Sequence, residues 1–218
     1  MNPNQFRVTP LFATPLLEAM IDVPADAKEF IKKTEYTRFP VDNGFGTPNK
    51  FLLDSPELNQ LKQNIMQACQ HYIYQILQVE NTADFQMTNS WAVKHVKGDE
   101  SGAHGHANAM LSGVLYIQTD DLSGDILFTK DRAHYNLFTP TVEVPFTQHN
   151  SFNAQGWAVR PRDNLLILFP STLQHSVYPS RSEQERYAVA FNLFAFGRFG
   201  YDQVTQLHIK NELNPKSL

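Results

Sequence analysis

From about residue 85 onward, the chain is a succession of short segments rich in β-branched and aromatic residues. Gly, Pro, Asn and Asp interrupt these segments at short intervals, a pattern typical of antiparallel β structure. About seven or eight antiparallel strands of this length fit a jelly roll, in which two facing sheets protect most strand edges. The predicted strands are residues 87–96, 110–118, 125–129, 141–145, 155–160, 164–169 and 186–196.

Residues 1–84 have a different pattern, which predicts helices packed on the outside of this β core. Residues 24–34 form a short amphipathic candidate. A longer core-facing helix is predicted after Ser55, which precedes a proline at the first helical position. We therefore expect a single domain over residues 1–218, with a helical N-terminal flank and a β core in residues 85–218. The apolar positions of the longer helix, spaced by three and four, are Leu58, Leu61, Ile65, Cys69, Tyr72 and Ile76.

Composition excludes several classes of function. The single cysteine, Cys69, excludes an intramolecular disulfide framework and is predicted to be a buried small hydrophobe. The net charge of −4, with scattered Lys and Arg, predicts no basic face for nucleic acid. No signal-peptide pattern and no apolar run of about 20 residues is present, so no membrane partner is expected. We expect a cytoplasmic protein, and a homodimer would be ordinary at this size.

Three histidines are the first candidates for a functional site. His104 and His106 are separated by one residue, and His175 follows much later in the chain. On extended backbone, residues i and i+2 project to the same face, so both imidazoles of the first pair can reach one ion. His175 would then complete the site from another strand. The three histidines are therefore predicted metal ligands.

The last predicted strand has two different faces. Its odd positions are large and apolar, whereas its even positions are Arg186, Ala188, Ala190 and Asn192. The two alanines leave room for a ligand that the polar groups would orient, so this face predicts the floor of a pocket. A buried guanidinium stays charged and fits a carboxylate in a bidentate manner. If no bulge intervenes, Tyr116 shares the parity of the histidine pair and would place its hydroxyl on the same carboxylate.

Five stretches contain these candidates and their neighbours, namely residues 89–91, 104–106, 111–117, 168–177 and 185–193. They resemble a family of 2-oxoglutarate and iron(II)-dependent oxygenases found in marine bacteria and their phages. The wider superfamily includes prolyl hydroxylases and has a double-stranded β-helix fold of the jelly-roll kind. The resemblance thus implies a mainly β protein with flanking helices, with Fe(II) and 2-oxoglutarate as cofactors and with O₂ and a second substrate as partners.

The resemblance also implies roles for individual residues. His104 and His175 would be iron ligands, Arg186 would bind the distal carboxylate of 2-oxoglutarate, and Tyr116 would donate a hydrogen bond to it. Asn192, on the same strand face as Arg186, is a further candidate for cofactor binding. No catalytic residue separate from the metal ligands is expected.

His106 departs from the superfamily pattern, which has a carboxylate at this position. Non-haem iron is normally held by two histidines and one carboxylate, with open positions for other ligands. Three neutral imidazoles would leave one more positive charge on the metal and would also suit zinc, nickel or copper. A carboxylate from Asp99 or Glu100 is the alternative, and we favour three histidines.

Three functions remain open. The first is an oxygenase that hydroxylates an unidentified peptidyl or small-molecule substrate. The second is a three-histidine, cupin-type dioxygenase that needs no 2-oxoglutarate, in which Arg186 would hold a carboxylate of the substrate. The third is a non-catalytic, metal-binding jelly roll with a closed four-coordinate zinc. Ala188 and Ala190 argue against the third, because they predict an empty pocket rather than a filled one.

Overall fold

The structure is a computed structural model that describes residues 7–40, 43–130, 144–200 and 205–210. In this part of the chain there are two α-helices, α1 (Ala25–Lys33) and α2 (Asn59–Gln70). Neither has the length and apolar character that crossing a bilayer would require. The strands are β1 (Leu17–Met20), β2 (Thr37–Arg38), β3 (Phe45–Gly46), β4 (Ala83–His95), β5 (Ser101–His104), β6 (Leu111–Gln118), β7 (Ile126–Thr129), β8 (Gly156–Val159), β9 (Leu165–Pro170), β10 (His175–Val177), β11 (Arg186–Phe199) and β12 (Leu207–Ile209).

These strands form two antiparallel sheets. The major sheet has the order β1-β9-β6-β11-β4-β3-β2, and β12 also pairs with β11. The minor sheet has the order β5-β10-β7-β8. Side chains from β7 and β8 pack in one cluster with side chains from β6, β9 and β11, so the two sheets face each other. The predicted jelly roll of the double-stranded β-helix kind is confirmed.

The central strands β6 and β11 bury both faces, and each face packs against a different partner. Odd positions such as Leu115 and Phe191 join the cluster that contains α1 and α2. Even positions such as Tyr116 and Ala188 join the cluster between the two sheets. Gly113 lies opposite Phe191 in the ladder, and a Cβ at Gly113 would come within 2.2 Å of the Phe191 ring. The aromatic ring therefore lies directly over the glycine and fills the space that a side chain would need.

The two predicted helices are present, but the longer one is irregular at both ends. A 3₁₀ turn over Pro56–Leu58 precedes α2, and a π-helical segment over His71–Ile76 follows it. Because i→i+5 hydrogen bonding widens the last turns, the apolar phase shifts there. Ile73 is fully buried, whereas Ile76 is 47% exposed. The predicted core position is therefore wrong for Ile76, while the other five predicted positions of this helix are buried.

Six predicted strands correspond to β4, β6, β7, β8, β9 and β11. The remaining predicted strand covers residues 141–145. Its residues 141–143 lie outside the described residues, and residues 144–145 are not in a strand. The prediction missed β5 and β10, which are short and contain Gly, Ser and His rather than the residues that favour strands. It also missed β1, β2 and β3, through which the N-terminal flank adds strands to the major sheet.

Candidate metal and carboxylate site

The three predicted histidines converge at one point between the two sheets. The potential ligand atoms of His104, His106 and His175 all lie within 4.8 Å of one another. Nε2 of His106 is 3.3 Å from Nε2 of His175. Two nitrogens at about 2.1 Å from a shared ion, in tetrahedral or octahedral directions, lie roughly 3.0–3.4 Å apart. The observed separation therefore fits two ligands of one ion.

Backbone carbonyls fix the orientation of two of these rings. Nδ1 of His104 is 2.7 Å from the carbonyl oxygen of Gly102, and Nδ1 of His175 is 2.9 Å from that of Leu173. A carbonyl oxygen only accepts, so each Nδ1 carries the proton and donates it. Each Nε2 then has a free lone pair, which is the arrangement commonly found in metal-binding histidines.

Different elements bring the histidines together. His104 ends β5 and lies opposite His175 of β10 in the ladder. His106 is not on a strand: it lies in the following loop, where its backbone N–H donates to the carbonyl of Ser171 at 2.8 Å. The Ser171 hydroxyl in turn holds the carbonyl of Ala109. Strand β5 therefore includes only the first histidine of the pair, and the turn after β9 positions the second.

Burial keeps two of the histidines neutral. It lowers the pKa of His106 to about 4, with the nearby His104 as a second cause. It also lowers the pKa of His175 to about 4. Both imidazoles are therefore neutral near pH 7, as metal binding requires.

Asp99, the alternative carboxylate ligand, has other partners. Its Oδ2 accepts the backbone N–H of Val96 at 2.9 Å, and its Oδ1 is 3.6 Å from the guanidinium of Arg38. Among the described residues, neither Asp99 nor Glu100 belongs to the histidine cluster. The geometry therefore favours a three-histidine site.

Arg186 begins β11 and is only 5% exposed. Within the described ranges, no carboxylate forms a salt bridge with it, and its Nε has no hydrogen-bond partner. A buried charge without a counter-charge is strongly unfavourable, and so is an unpaired buried donor. A bound anion would therefore stabilise the guanidinium in this environment.

Tyr116 lies beside Arg186 and also has a buried polar atom without a hydrogen-bond partner. The guanidinium carbon of Arg186 is 5.0 Å from the centre of the Tyr116 ring. The Tyr116 hydroxyl is fully buried and, among the residues described, has no hydrogen-bond partner. Burial raises the pKa of this hydroxyl, so it remains a protonated donor. Two unpaired donors thus lie in one buried place, which suits a carboxylate.

The face of β11 that the sequence predicts to be a pocket floor has the expected neighbours. Ala188 pairs with Tyr116 across the ladder, and Ala190 pairs with Trp91 on the other side. Asn192 is buried, but its side chain already accepts from Ser112 at 2.7 Å and donates to Asn89 at 2.8 Å.

The sequence reasoning missed two residues of this site. The first is His95, whose Nδ1 is 3.4 Å from Nη1 of Arg186. The second is Trp91, which is only half-buried and whose ring centre lies 6.1 Å from that of His106. Both share the strand parity of Asn89, which is the signal that could have found them.

Comparison with known proteins identifies the same part of the chain. The sequence model of one protein family, described as "Putative 2OG-Fe(II) oxygenase", matches residues 89–192. This range contains all six predicted site residues and extends from β4 into β11. The resemblance to 2-oxoglutarate and iron(II)-dependent oxygenases is therefore confirmed over this range. The marine bacterial and phage distribution stays a prediction. No curated protein sequence matches the chain significantly.

Solved structures with low sequence identity share the fold. The epimerase SnoN from nogalamycin biosynthesis, described as non-heme and alpha ketoglutarate dependent, has a TM-score of 0.59 at 12% identity, covering 90% of this chain and 91% of its own. HygX from Streptomyces hygroscopicus, with nickel and 2-oxoglutarate bound, has a TM-score of 0.55 at 13% identity, covering 83% and 82%. A Pseudomonas putida prolyl-4-hydroxylase has a TM-score of 0.51 at 17% identity, covering 84% and 94%.

The family match and the fold together support an enzyme of the 2-oxoglutarate and iron(II)-dependent oxygenase class.

Proposed function

We propose that the protein binds Fe(II) through His104, His106 and His175 and uses 2-oxoglutarate and O₂ to hydroxylate a second substrate. The observation that carries this proposal is a histidine cluster together with a buried Arg186 that has no carboxylate partner among the described residues. Tyr116, which lies beside Arg186, packs with Phe128 and Phe169, and both of these rings contact His175. A non-catalytic, metal-binding jelly roll would have no need for the guanidinium.

The histidines suit a metal that must keep open positions. In the described part of the chain no Cys, Asp or Glu joins the cluster, so the protein supplies three nitrogen ligands there. The backbone carbonyls of Gly102 and Leu173 fix two rings before an ion arrives. Such outer partners orient metal ligands and raise their basicity.

Arg186 and Tyr116 suit the distal carboxylate of 2-oxoglutarate. The guanidinium would supply the charge, and the Tyr116 hydroxyl would donate a hydrogen bond. Ala188 leaves space beside Tyr116 for the carbon chain of the ligand. HygX and SnoN were both solved with 2-oxoglutarate bound, under that name or as alpha ketoglutarate, which supports the same cosubstrate here. Asn192 is proposed to shape the pocket near the metal through its contacts with Ser112 and Asn89.

Bound Fe(II) would activate O₂, which is the oxidant: one oxygen atom would go to succinate as 2-oxoglutarate loses CO₂, and the other would enter a C–H bond of the substrate. The residues of the protein hold and orient the reactants. The buried walls of the pocket exclude water from the carboxylate site, which strengthens the attraction of Arg186 for its anion. The substrate remains a peptidyl group or a small molecule.

An anaerobic titration of Fe(II)-loaded protein with 2-oxoglutarate tests this proposal. We expect a saturable visible metal-to-ligand charge-transfer band, because chelation of the oxo acid requires adjacent open positions on the metal. Bound iron without such a band would contradict 2-oxoglutarate as cosubstrate and would favour the cupin-type dioxygenase or the non-catalytic metal site.

Replacement of Arg186 by Ala tests the proposed carboxylate site. The R186A protein should retain the metal but lose the saturable band at cosubstrate concentrations that saturate the wild type. Arg160 is a matched control, because its guanidinium is exposed and lies near Asp121 and Asp125. The R160A protein should titrate like the wild type. An unchanged band in R186A would contradict the proposed carboxylate site.

We further propose that the whole chain, residues 1–218, is a single domain. Location in the cytoplasm and assembly as a homodimer stay predictions from the sequence.

A further inference from the structure

His95 and Arg186 are direct partners on neighbouring strands. They face each other in the ladder between β4 and β11, and NH1 of Arg186 lies 3.4 Å from Nδ1 of His95. The guanidinium has donors only, so Nδ1 must accept. Both residues are buried, with 2% exposure for His95 and 5% for Arg186.

The imidazole of His95 can act as this acceptor at neutral pH. Burial, together with the positive charge of Arg186, lowers the pKa of His95 to about 3. The ring is therefore neutral, and it carries one N–H and one lone pair. With Nδ1 as the acceptor, Nε2 carries the proton and can donate to the hydroxyl of Ser101, 3.5 Å away.

A close backbone approach holds the other side of the ring. Gly44 has a φ of +116°, which favours glycine, and a Cβ at this position would lie 2.6 Å from Cδ2 of His95. The imidazole is therefore confined between the loop at Gly44 and Ser101 of β5. A confined ring can hold its partner in one orientation, and no other hydrogen bond from the Arg186 side chain is present in the described ranges.

We propose that His95 is a positioning residue for Arg186, and that it sets the selectivity of the pocket for a 2-oxo dicarboxylate over a 2-oxo monocarboxylate. The bond from NH1 to His95 fixes the plane of the guanidinium and leaves its remaining donors, including Nε, for the ligand. The identity of that ligand rests on the proposed function.

The first test compares two ligands on Ni(II)-loaded protein, because nickel gives a bound complex without turnover. 2-Oxopentanoate has the same carbon chain as 2-oxoglutarate but a methyl group in place of the distal carboxylate. In the H95F protein, which keeps the ring and loses the acceptor, the Kd for 2-oxoglutarate should rise about tenfold, the loss expected for one hydrogen bond to a charged group. The Kd for 2-oxopentanoate should stay within about twofold, since Arg186 does not contact the methyl group.

Two further variants sharpen this comparison. H95Q restores an acceptor and should recover part of the 2-oxoglutarate affinity. Gly44→Ala pushes on the imidazole from the other side and should reproduce the selective loss seen in H95F. An equal loss for both ligands in H95F would show a structural role only and overturn the proposal, as would no loss for either.

The second test needs no ligand. In metal-free protein, ¹⁵N NMR should show a sharp Nε–H signal of Arg186, assigned by its disappearance in R186K. We expect this signal to broaden or vanish in H95F and to return in H95Q. Persistence of the sharp signal in H95F would overturn the positioning role. Failure of the wild type to bind 2-oxoglutarate would instead overturn the proposed function and the claimed selectivity, while this signal still decides whether His95 orders Arg186.

Discussion

The two faces of strand β11 have opposite tasks. On the face toward the helices, Val189 and Phe191 are fully buried among apolar side chains from α1 and α2. On the face toward the minor sheet, Arg186 and Tyr116 of the neighbouring strand keep unpaired polar atoms in buried surroundings. Native proteins satisfy nearly all buried polar groups, so exceptions need a reason. The first face stabilises the fold. The unpaired polar atoms of the second face lower the stability of the fold but are available to bind a ligand.

Phe191→Ala should show the largest effect on stability, because it disrupts the packing of the β11 face toward the helices. The ring fills the space over Gly113, so its loss opens a cavity in the packed face. We expect the free energy of unfolding to fall by about 3–5 kcal/mol, as for other buried Phe→Ala changes. Denaturant titration of metal-free protein measures this change. Ala190→Ser, on the opposite face, should cost less than about 1 kcal/mol, and equal losses would contradict the division of tasks.

His104→Ala should impair metal binding without affecting the packing between β11 and the helices. This side chain is exposed, so its removal should leave the unfolding midpoint of the metal-free protein almost unchanged. Metal affinity should fall at least about a hundredfold, because losing even an outer partner of a ligand costs 10–100-fold. Isothermal titration with Zn(II) or Ni(II) measures the change. His149→Ala is the matched control, since His149 is also exposed but lies outside the cluster; wild-type affinity in H104A would remove His104 from the site.

Acid should lower the free energy of unfolding, because the buried His95 resists protonation in the folded protein. The folded pKa of His95 is about 3, below its ordinary value of 6.5. Below pH 6.5 the unfolded chain therefore binds more protons than the folded one, and stability declines as the pH falls toward 3. This group should contribute a slope of at most about 1.4 kcal/mol per pH unit and nothing above pH 6.5. The stability of metal-free wild type and H95F, measured by denaturant titration between about pH 4.5 and pH 7.5, should give parallel curves above pH 6.5 and converging curves below it.

Tyr116→Phe should have the smallest effect on binding, and it should change stability and ligand affinity in opposite directions. Removing an unpaired buried hydroxyl should leave metal-free protein equally stable or stabilise it by up to about 1–3 kcal/mol. The same change should weaken 2-oxoglutarate binding by about two- to tenfold, because one hydrogen bond to the ligand is lost. Thermal unfolding and ligand titration check the two signs. Reduced stability with unchanged ligand affinity would mean that the hydroxyl serves the fold.

The sequence predicted the parts of the molecule that are governed by local periodicity. Alternation along β11 distinguished its helix face from its pocket face, and spacings of three and four located α2. The failures have physical causes. A π-helical segment changed the phase at Ile76, and strands β5 and β10 are too short and too poor in β-forming residues to be recognised.

The chemistry of the site was also largely visible in the sequence, because residue type alone determines what an imidazole, a guanidinium or a phenol can bind. The sequence alone is enough to single out the candidate residues His104, His106, His175, Arg186 and Tyr116. The contacts among them depend on pairing between strands far apart in the chain. Only the tertiary structure placed His106 in a loop held by Ser171.

His95 marks the boundary between the two kinds of information. Its sequence neighbours give no indication of a role, since a lone buried histidine is usually a satisfied core residue. The ladder between β4 and β11 brings it to Arg186, and the backbone at Gly44 confines its ring. The sequence by itself determined which groups could bind a metal and a carboxylate. The tertiary structure decided which of them are buried, unpaired and near one another, because burial and proximity arise only from the packing of distant segments.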